Sequence, residues 1–242
     1  MRNIKVLFVA LFVLAGVVSA PAVAGYEQLF ERVRAASWAI YVRSTSGMNA
    51  VCSASAYKTT ATKTYLVSAA HCFLGNDLAK TDFLVTQDHR NFFKASQLRT
   101  GLTARPNTSG TSNNLDDYKG DDWAIVEAQV GNMPTLPLGN SEELSIGEDL
   151  VIVGVPFGMD FLAVQGIVGS KDLALSQLVW NHYYGANIFA AGGNSGSGVI
   201  STKQKAIVGI LNAGPGGGSS MMIFMPINKL PKNFDVPKKE AE

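Results

Sequence analysis

From Trp38 onward the apolar residues fall into short runs, most of them separated by glycine, asparagine, aspartate or serine. Twelve runs read as strands: Trp38–Arg43, Ala50–Tyr57, Thr64–Ser68, Asp82–Thr86, Phe92–Leu98, Trp123–Ala128, Leu150–Val155, Leu162–Val168, Gln177–Tyr183, Gly198–Ser201, Ala206–Asn212 and Met221–Ile227. Many short strands joined through turn residues predict an all-β barrel or sandwich. No period of 20–50 residues recurs, which excludes a solenoid. Before the strands, Tyr26–Ala36 sets Tyr26, Leu29, Phe30 and Val33 at helical spacing with charges between them, and predicts a short amphipathic helix. Arg105–Asp122 is polar and reads as a loop, and Asn132–Gly147, with Pro134 and Pro137, reads as a link between two halves. The polar stretch from Pro231 to Glu242 reads as a frayed tail.

The 242 residues, 47% of them hydrophobic, suffice for one large or two small cores. A formal charge of +1 leaves no basic stripe, so nucleic acid is not an expected partner. The 24 glycines against 16% charged residues agree with many tight turns. Cys52 and Cys72 are too few for a disulfide-built miniprotein, and no Cys/His set points to zinc. Asp116, Asp117, Asp121 and Asp122 match no calcium loop, so neither a metal nor a cofactor is expected.

The N-terminus changes the picture of where the chain works. Arg2 and Lys5 precede the apolar run Val6–Val18, and Ala22-Val23-Ala24 fits a cleavage site before Gly25. Cleavage there would remove two basic residues and take the formal charge from +1 to −1. The competing reading is an uncleaved anchor, against which stand Ser19, Pro21 and the shortness of the apolar core. Export to a periplasm or out of the cell also permits a disulfide.

Three places carry candidate chemistry. Gly192-Gly193-Asn194-Ser195-Gly196-Ser197-Gly198 surrounds a serine with residues that tolerate tight turns, as a nucleophilic hydroxyl and its oxyanion donors require. His71 ends the run Tyr65–Ala70, where two alanines let another segment come close to the imidazole. A bridge between Cys72 and Cys52 would tie this turn to the preceding candidate strand. Asp122 stands where a polar loop enters Trp123–Ala128, a position where a buried carboxylate can hold an imidazole by its second nitrogen. Each has a plainer reading, as a glycine loop, a strand-end histidine and a solvated turn respectively. His89 and His182 read as surface or packing residues.

Together, Ala69-Ala70-His71-Cys72, Asp122-Trp123-Ala124-Ile125-Val126 and Gly193-Asn194-Ser195-Gly196 run in the order His, Asp, Ser. This resembles the chymotrypsin-like serine proteases over roughly Trp38 to Leu230. Gly154-Val155-Pro156-Phe157-Gly158 and Gln165-Gly166-Ile167-Val168 are similar to the HtrA/Deg protease domain. Gly192–Ser197 is closer to the glutamyl endopeptidases. The resemblance implies an all-β fold of two packed six-stranded antiparallel barrels, 38–135 and 136–230, after a signal peptide (1–24) and a helical segment (25–37), with a tail at 231–242. It implies catalysis by His71, Asp122 and Ser195, an oxyanion hole from the N–H groups of Gly193 and Ser195, a Cys52–Cys72 disulfide, and polypeptide substrates.

The departures from the family are informative. Asn194 stands where the digestive relatives place the aspartate that pairs with a new N-terminus, so no activating cut is expected. Alignment places Phe189, Ala190, Leu211, Asn212, Ala213 and Gly214 at the substrate pocket, with no charged side chain among them. A buried unpaired charge costs several kcal/mol, so a small or medium apolar substrate residue is expected. HtrA proteins carry PDZ domains after the protease domain, whereas this sequence ends soon after its last strand, so no PDZ-dependent control is expected. The helix could support an oligomer, but packing on the barrel is preferred and nothing else indicates assembly. The alternative to an endopeptidase is an inactive binding module on the same fold, against which stand the intact three residues.

Overall fold

The computed structural model describes residues 20–44, 47–75, 81–106, 114–173, 181–214 and 219–234, with side chains of the helix described from Tyr26 onward. Residues 1–19 of the leader, most of the tail and the 177–180 part of one expected strand lie outside them. Helix α1 (Ala20–Ala35) begins before the expected cleavage point and runs into the strands β1 (Ser37–Ser44), β2 (Gly47–Thr59), β3 (Thr64–Ser68), β4 (Asp82–Thr86) and β5 (Phe93–Thr100). Two short strands, β6 (Thr103–Ala104) and β7 (Tyr118–Lys119), pair with each other before β8 (Ala124–Ala128). The second half holds β9 (Asp149–Gly154), β10 (Leu162–Leu173), β11 (Tyr183–Asn187), β12 (Gly198–Ser201), β13 (Ala206–Ala213) and β14 (Met222–Pro226).

These strands close into two antiparallel six-stranded barrels, in the orders β1-β2-β3-β8-β5-β4 and β10-β11-β14-β13-β12-β9. Closure removes the unpaired edges that an open sheet would expose. The alternation of side chains along a strand explains how the barrels meet. In β14, Met222 and Phe224 point into the second barrel, while Ile223 and Met225 join the core shared with the first. In β9, Leu150 and Ile152 fill the second barrel, and Val151 and Val153 face the first. Both faces are thus buried, which is why these strands read as unbroken apolar runs.

Helix α1 packs on its own chain. Leu29, Val33 and Ala36 are buried in the shared core, and the Tyr26 hydroxyl donates to Asp149 at 2.9 Å. The Arg34 guanidinium lies 3.8 Å from the Phe161 ring centroid, a cation–π contact with the second half of the chain. Among the described residues no helix is long and apolar enough to cross a membrane.

The segment read as a loop at Arg105–Asp122 contains β7, a 3₁₀ turn at Leu115–Asp117, and Tyr118, which is buried. Strand β10 runs five residues past the expected end, because Ser170 and Leu173 still pair with Gly185 and Tyr183 in a stretch that forms no apolar run. Strand β11 starts where the expected Gln177–Tyr183 strand ends.

Candidate active site

The end of β3 turns directly into a 3₁₀ helix, Ala70–Phe73, which carries His71. Ala69 and Ala70 are buried, and the chain at Gly196 packs against Ser68 and Ala69. A Cβ at Gly196 would lie 2.2 Å from Ser68 Oγ and from the Ser53 carbonyl, and 2.9 Å from the Ala69 nitrogen. Only glycine fits there, and its φ of +86° also favours glycine. The Ser195 turn is thereby pressed against the residues that precede His71. On the other side, Cys72 Sγ is 3.9 Å from the Ser195 carbonyl oxygen.

Cys52 and Cys72 form a disulfide between β2 and the histidine turn. Their sulfurs lie with the His71 ring in one cluster, but oxidised sulfurs offer no thiolate to a metal. The bridge closes a 20-residue separation and stabilises by about 3 kcal/mol in the chain-entropy account. Replacing both cysteines by serine is expected to lower the denaturation free energy by roughly that amount. Denaturant titration of the wild type with and without reductant gives the same comparison, and unchanged midpoints would contradict it.

Asp122 is buried, just before β8, and all of its polar groups are occupied. His71 donates its backbone N–H to Oδ1 at 2.8 Å, and Nδ1 of its ring meets Oδ2 at 2.7 Å. The backbone N–H of Asp122 donates to the Tyr183 hydroxyl at 3.0 Å, and Asn212 Nδ2 donates to its carbonyl at 2.6 Å. A carboxylate accepts only, so Nδ1 carries the proton and Nε2 of neutral His71 is left as the free lone pair. Burial by itself would push His71 down. The attraction of Asp122 and the hydrogen bond to it prevail, and the imidazole titrates above its ordinary 6.5.

Tyr183 and Asn212 come from β11 and β13, so the second barrel holds the backbone N–H and carbonyl of Asp122, while both carboxylate oxygens go to His71. Burial raises the Tyr183 hydroxyl far above its usual range, and the hydroxyl also bonds Asp121. Asp121 in turn pairs with Lys229 at 2.6 Å.

Three of the six N–H groups of the 192–197 turn have acceptors. Asn194 N–H donates to Ala191, Gly196 N–H to Leu211 and Ser197 N–H to Asn194, at 3.0, 2.7 and 3.0 Å. Among the described residues, the N–H groups of Gly192, Gly193 and Ser195 meet no acceptor, and those of Gly193 and Ser195 are the two expected to receive an oxyanion. Gly193 has φ +96°, and a Cβ there would lie 2.2 Å from the Val155 carbonyl oxygen.

The residues expected at the pocket lie in different settings. Ala190 pairs with Ser219 through two backbone bonds of 2.8 and 2.9 Å, and a Cβ on Gly214 would lie 3.8 Å from both of their Cβ atoms. These residues are small and uncharged, and Ala213, next to Gly214, is half-buried. Leu211 is buried in the second-barrel core, with its N–H and C=O bonded to the serine turn. The Asn212 side chain is fully engaged, donating to Asp122 and accepting from the Met225 N–H at 2.9 Å. Phe189 is 36% exposed. Three residues outside the sequence expectation join the site: Ser53, Tyr183 and, through its backbone, Phe157.

Two closed barrels with this topology define the chymotrypsin-like protease fold, and comparison with known proteins identifies the family. The trypsin-like peptidase domain pattern matches residues 51–210, and the chain belongs to that family. A probable periplasmic serine endoprotease, DegP-like, from Pseudomonas putida strain F1 is 31% identical over 110 residues. The DegP-like protein of Halomonas elongata is 29% identical over the same length. Each match covers 44% of this chain and 23% of the relative, so the likeness spans under a quarter of those proteins. Among solved structures, the HtrA-type protease AlgW with tripeptide has a TM-score of 0.63 at 20% identity, covering 84% of this chain and 60% of that one. AlgW with decapeptide gives the same TM-score at 17% identity.

Proposed function

We propose that the protein is an exported serine endopeptidase that cleaves polypeptides through an acyl-enzyme, with His71, Asp122 and Ser195 as its triad. The observation that carries this reading is the buried Asp122 carboxylate bonded twice to His71, beside a serine turn whose Gly193 and Ser195 N–H groups have no acceptor among the described residues. His71 Nε2 takes the proton of Ser195 Oγ as that oxygen attacks the peptide carbonyl carbon. Gly193 and Ser195 N–H groups receive the oxyanion. His71⁺ then protonates the leaving amine as the C–N bond breaks, and water attacks the acyl-enzyme by the same route in reverse. Asp122 holds the tautomer and steadies the imidazolium. No cofactor enters these steps.

The basic start and apolar run of residues 1–24 support export, and the DegP-like relatives are named as periplasmic. The small walls at Ala190, Gly214 and Ser219 support cleavage after small or medium apolar residues. Digestion of a denatured polypeptide library by protein starting at Gly25 tests the reading. Cleavage after such residues, with no further activating cut, is the expected outcome. A profile dominated by Lys, Arg or Glu would refute the pocket assignment, and no cleavage at all would refute the activity.

A further inference from the structure

The Asn194 side chain does not anchor the serine turn, since its Oδ1 is buried without a partner among the described residues. The turn is instead fixed through its carbonyls. Phe157 N–H donates to the Gly192 carbonyl at 2.6 Å, and Ser197 N–H to that of Asn194 at 3.0 Å. Those of Gly193 and Ser195 are held by one residue of the first barrel, the fully buried Ser53 of β2. Its backbone N–H donates to the Ser195 carbonyl at 2.8 Å, and its hydroxyl donates to the Gly193 carbonyl at 2.8 Å. The same hydroxyl accepts the Val155 N–H at 3.0 Å, at the root of the turn that presents Phe157.

A trans peptide points its C=O and N–H in opposite directions. Holding the Gly192 carbonyl on Phe157 therefore turns the Gly193 N–H away from that residue and keeps it free. Gly193, with no Cβ, is the pivot about which the adjoining peptides could rotate. Rotation of the Gly192–Gly193 peptide would replace the N–H in the hole with a carbonyl. The Ser53 hydroxyl opposes this on both sides, by fixing the Gly193 carbonyl and the Val155 end of the Phe157 turn.

We propose that Ser53 is a positioning residue that keeps the oxyanion hole preformed, in place of an activation-dependent ion pair; this rests on the endopeptidase reading above. Ser55, two residues along the same strand, supplies an internal comparison. It is equally buried and accepts Gly198 N–H at 2.9 Å, but it does not touch the carbonyls of the turn.

The experiment compares Ser53→Ala and Ser55→Ala in the full-length protein, with kcat, KM, pH profile and affinity for a peptide boronic acid as readouts. Ser53→Ala is expected to lose about ten- to a hundredfold in kcat and a similar factor in boronate affinity, since one oxyanion donor is worth 10²–10³. Its KM and the midpoint of its acidic limb should not move, because the His71–Asp122 pair is untouched. Ser55→Ala should lose thermal stability and retain kcat. If Ser53→Ala does not fold, Ser53→Thr, which keeps the hydroxyl, is expected to stay within a few-fold of wild-type kcat. Normal kcat and boronate affinity in folded Ser53→Ala would overturn the proposal, as would an equal kcat loss in Ser55→Ala, or a folded Ser53→Thr as impaired as a missing donor. A wild-type protein that neither hydrolyses peptides nor binds the boronate would instead overturn the endopeptidase reading.

Discussion

Ser195→Ala is expected to lower kcat for peptide hydrolysis by a factor on the order of 10⁴ to 10⁶, with little change in stability. The methyl group leaves the turn intact, because the Ser195 contacts that hold it are made by its backbone: the carbonyl receives Ser53 N–H at 2.8 Å. What is lost is the atom that forms the acyl-enzyme. Residual catalysis would come from the two free N–H groups and from binding, which alone retain 10³–10⁴ over water in comparable enzymes. Hydrolysis within tenfold of wild type would place the nucleophile elsewhere.

Asp122→Asn should come next in effect, with kcat falling on the order of 10⁴-fold. Both carboxylate oxygens accept from His71, one from its backbone and one from its ring. An amide offers one acceptor and one donor, so one contact becomes donor against donor. If the NH₂ faces the ring, Nδ1 must become the acceptor and the proton moves to Nε2, which can no longer take one from Ser195. The pH dependence carries a second signature. In the wild type, kcat/KM should rise with pH through a midpoint above 6.5, and in Asp122→Asn that midpoint should fall. Stability has the opposite sign. A histidine whose pKa is raised on folding contributes stability that is fully present below its unfolded value and disappears as pH rises through the folded one. The stability gap between wild type and variant from this pair should therefore be widest below about pH 6.5 and narrow above it.

The sequence showed the strands best where one or both faces are buried by apolar residues. Thr64–Ser68, Asp82–Thr86 and Gly198–Ser201 begin and end at the expected residues. It failed where pairing carries no hydrophobic signal. The far end of β10 is half polar, β11 contains Gly185 and ends on Asn187, and β6 and β7 are too short to show any period. The candidate site divides in the same way. His71, Asp122 and Ser195 stand out because their chemistry is distinctive in an apolar or glycine-rich setting. Ser53 was hidden, because a serine in the alternation Cys52-Ser53-Ala54-Ser55 looks like a solvent-facing residue, whereas β2 turns that face to the second barrel. Tyr183 was hidden in another way, as was the bond to Asp122 made by Asn212, a residue expected only at the pocket. Their hydrogen bonds to Asp122 cross between barrels, over separations of 61 and 90 residues. No local pattern encodes such a contact.

The central claim is that Ser195 is a nucleophile activated by His71 and Asp122. The most direct measurement is labelling of the intact protein with a fluorophosphonate at pH 8, followed by mapping of the adduct by peptide mass spectrometry. The account predicts one stoichiometric adduct, on Ser195, abolished in Ser195→Ala and strongly slowed in Asp122→Asn. No adduct, or one that persists in Ser195→Ala, would contradict it.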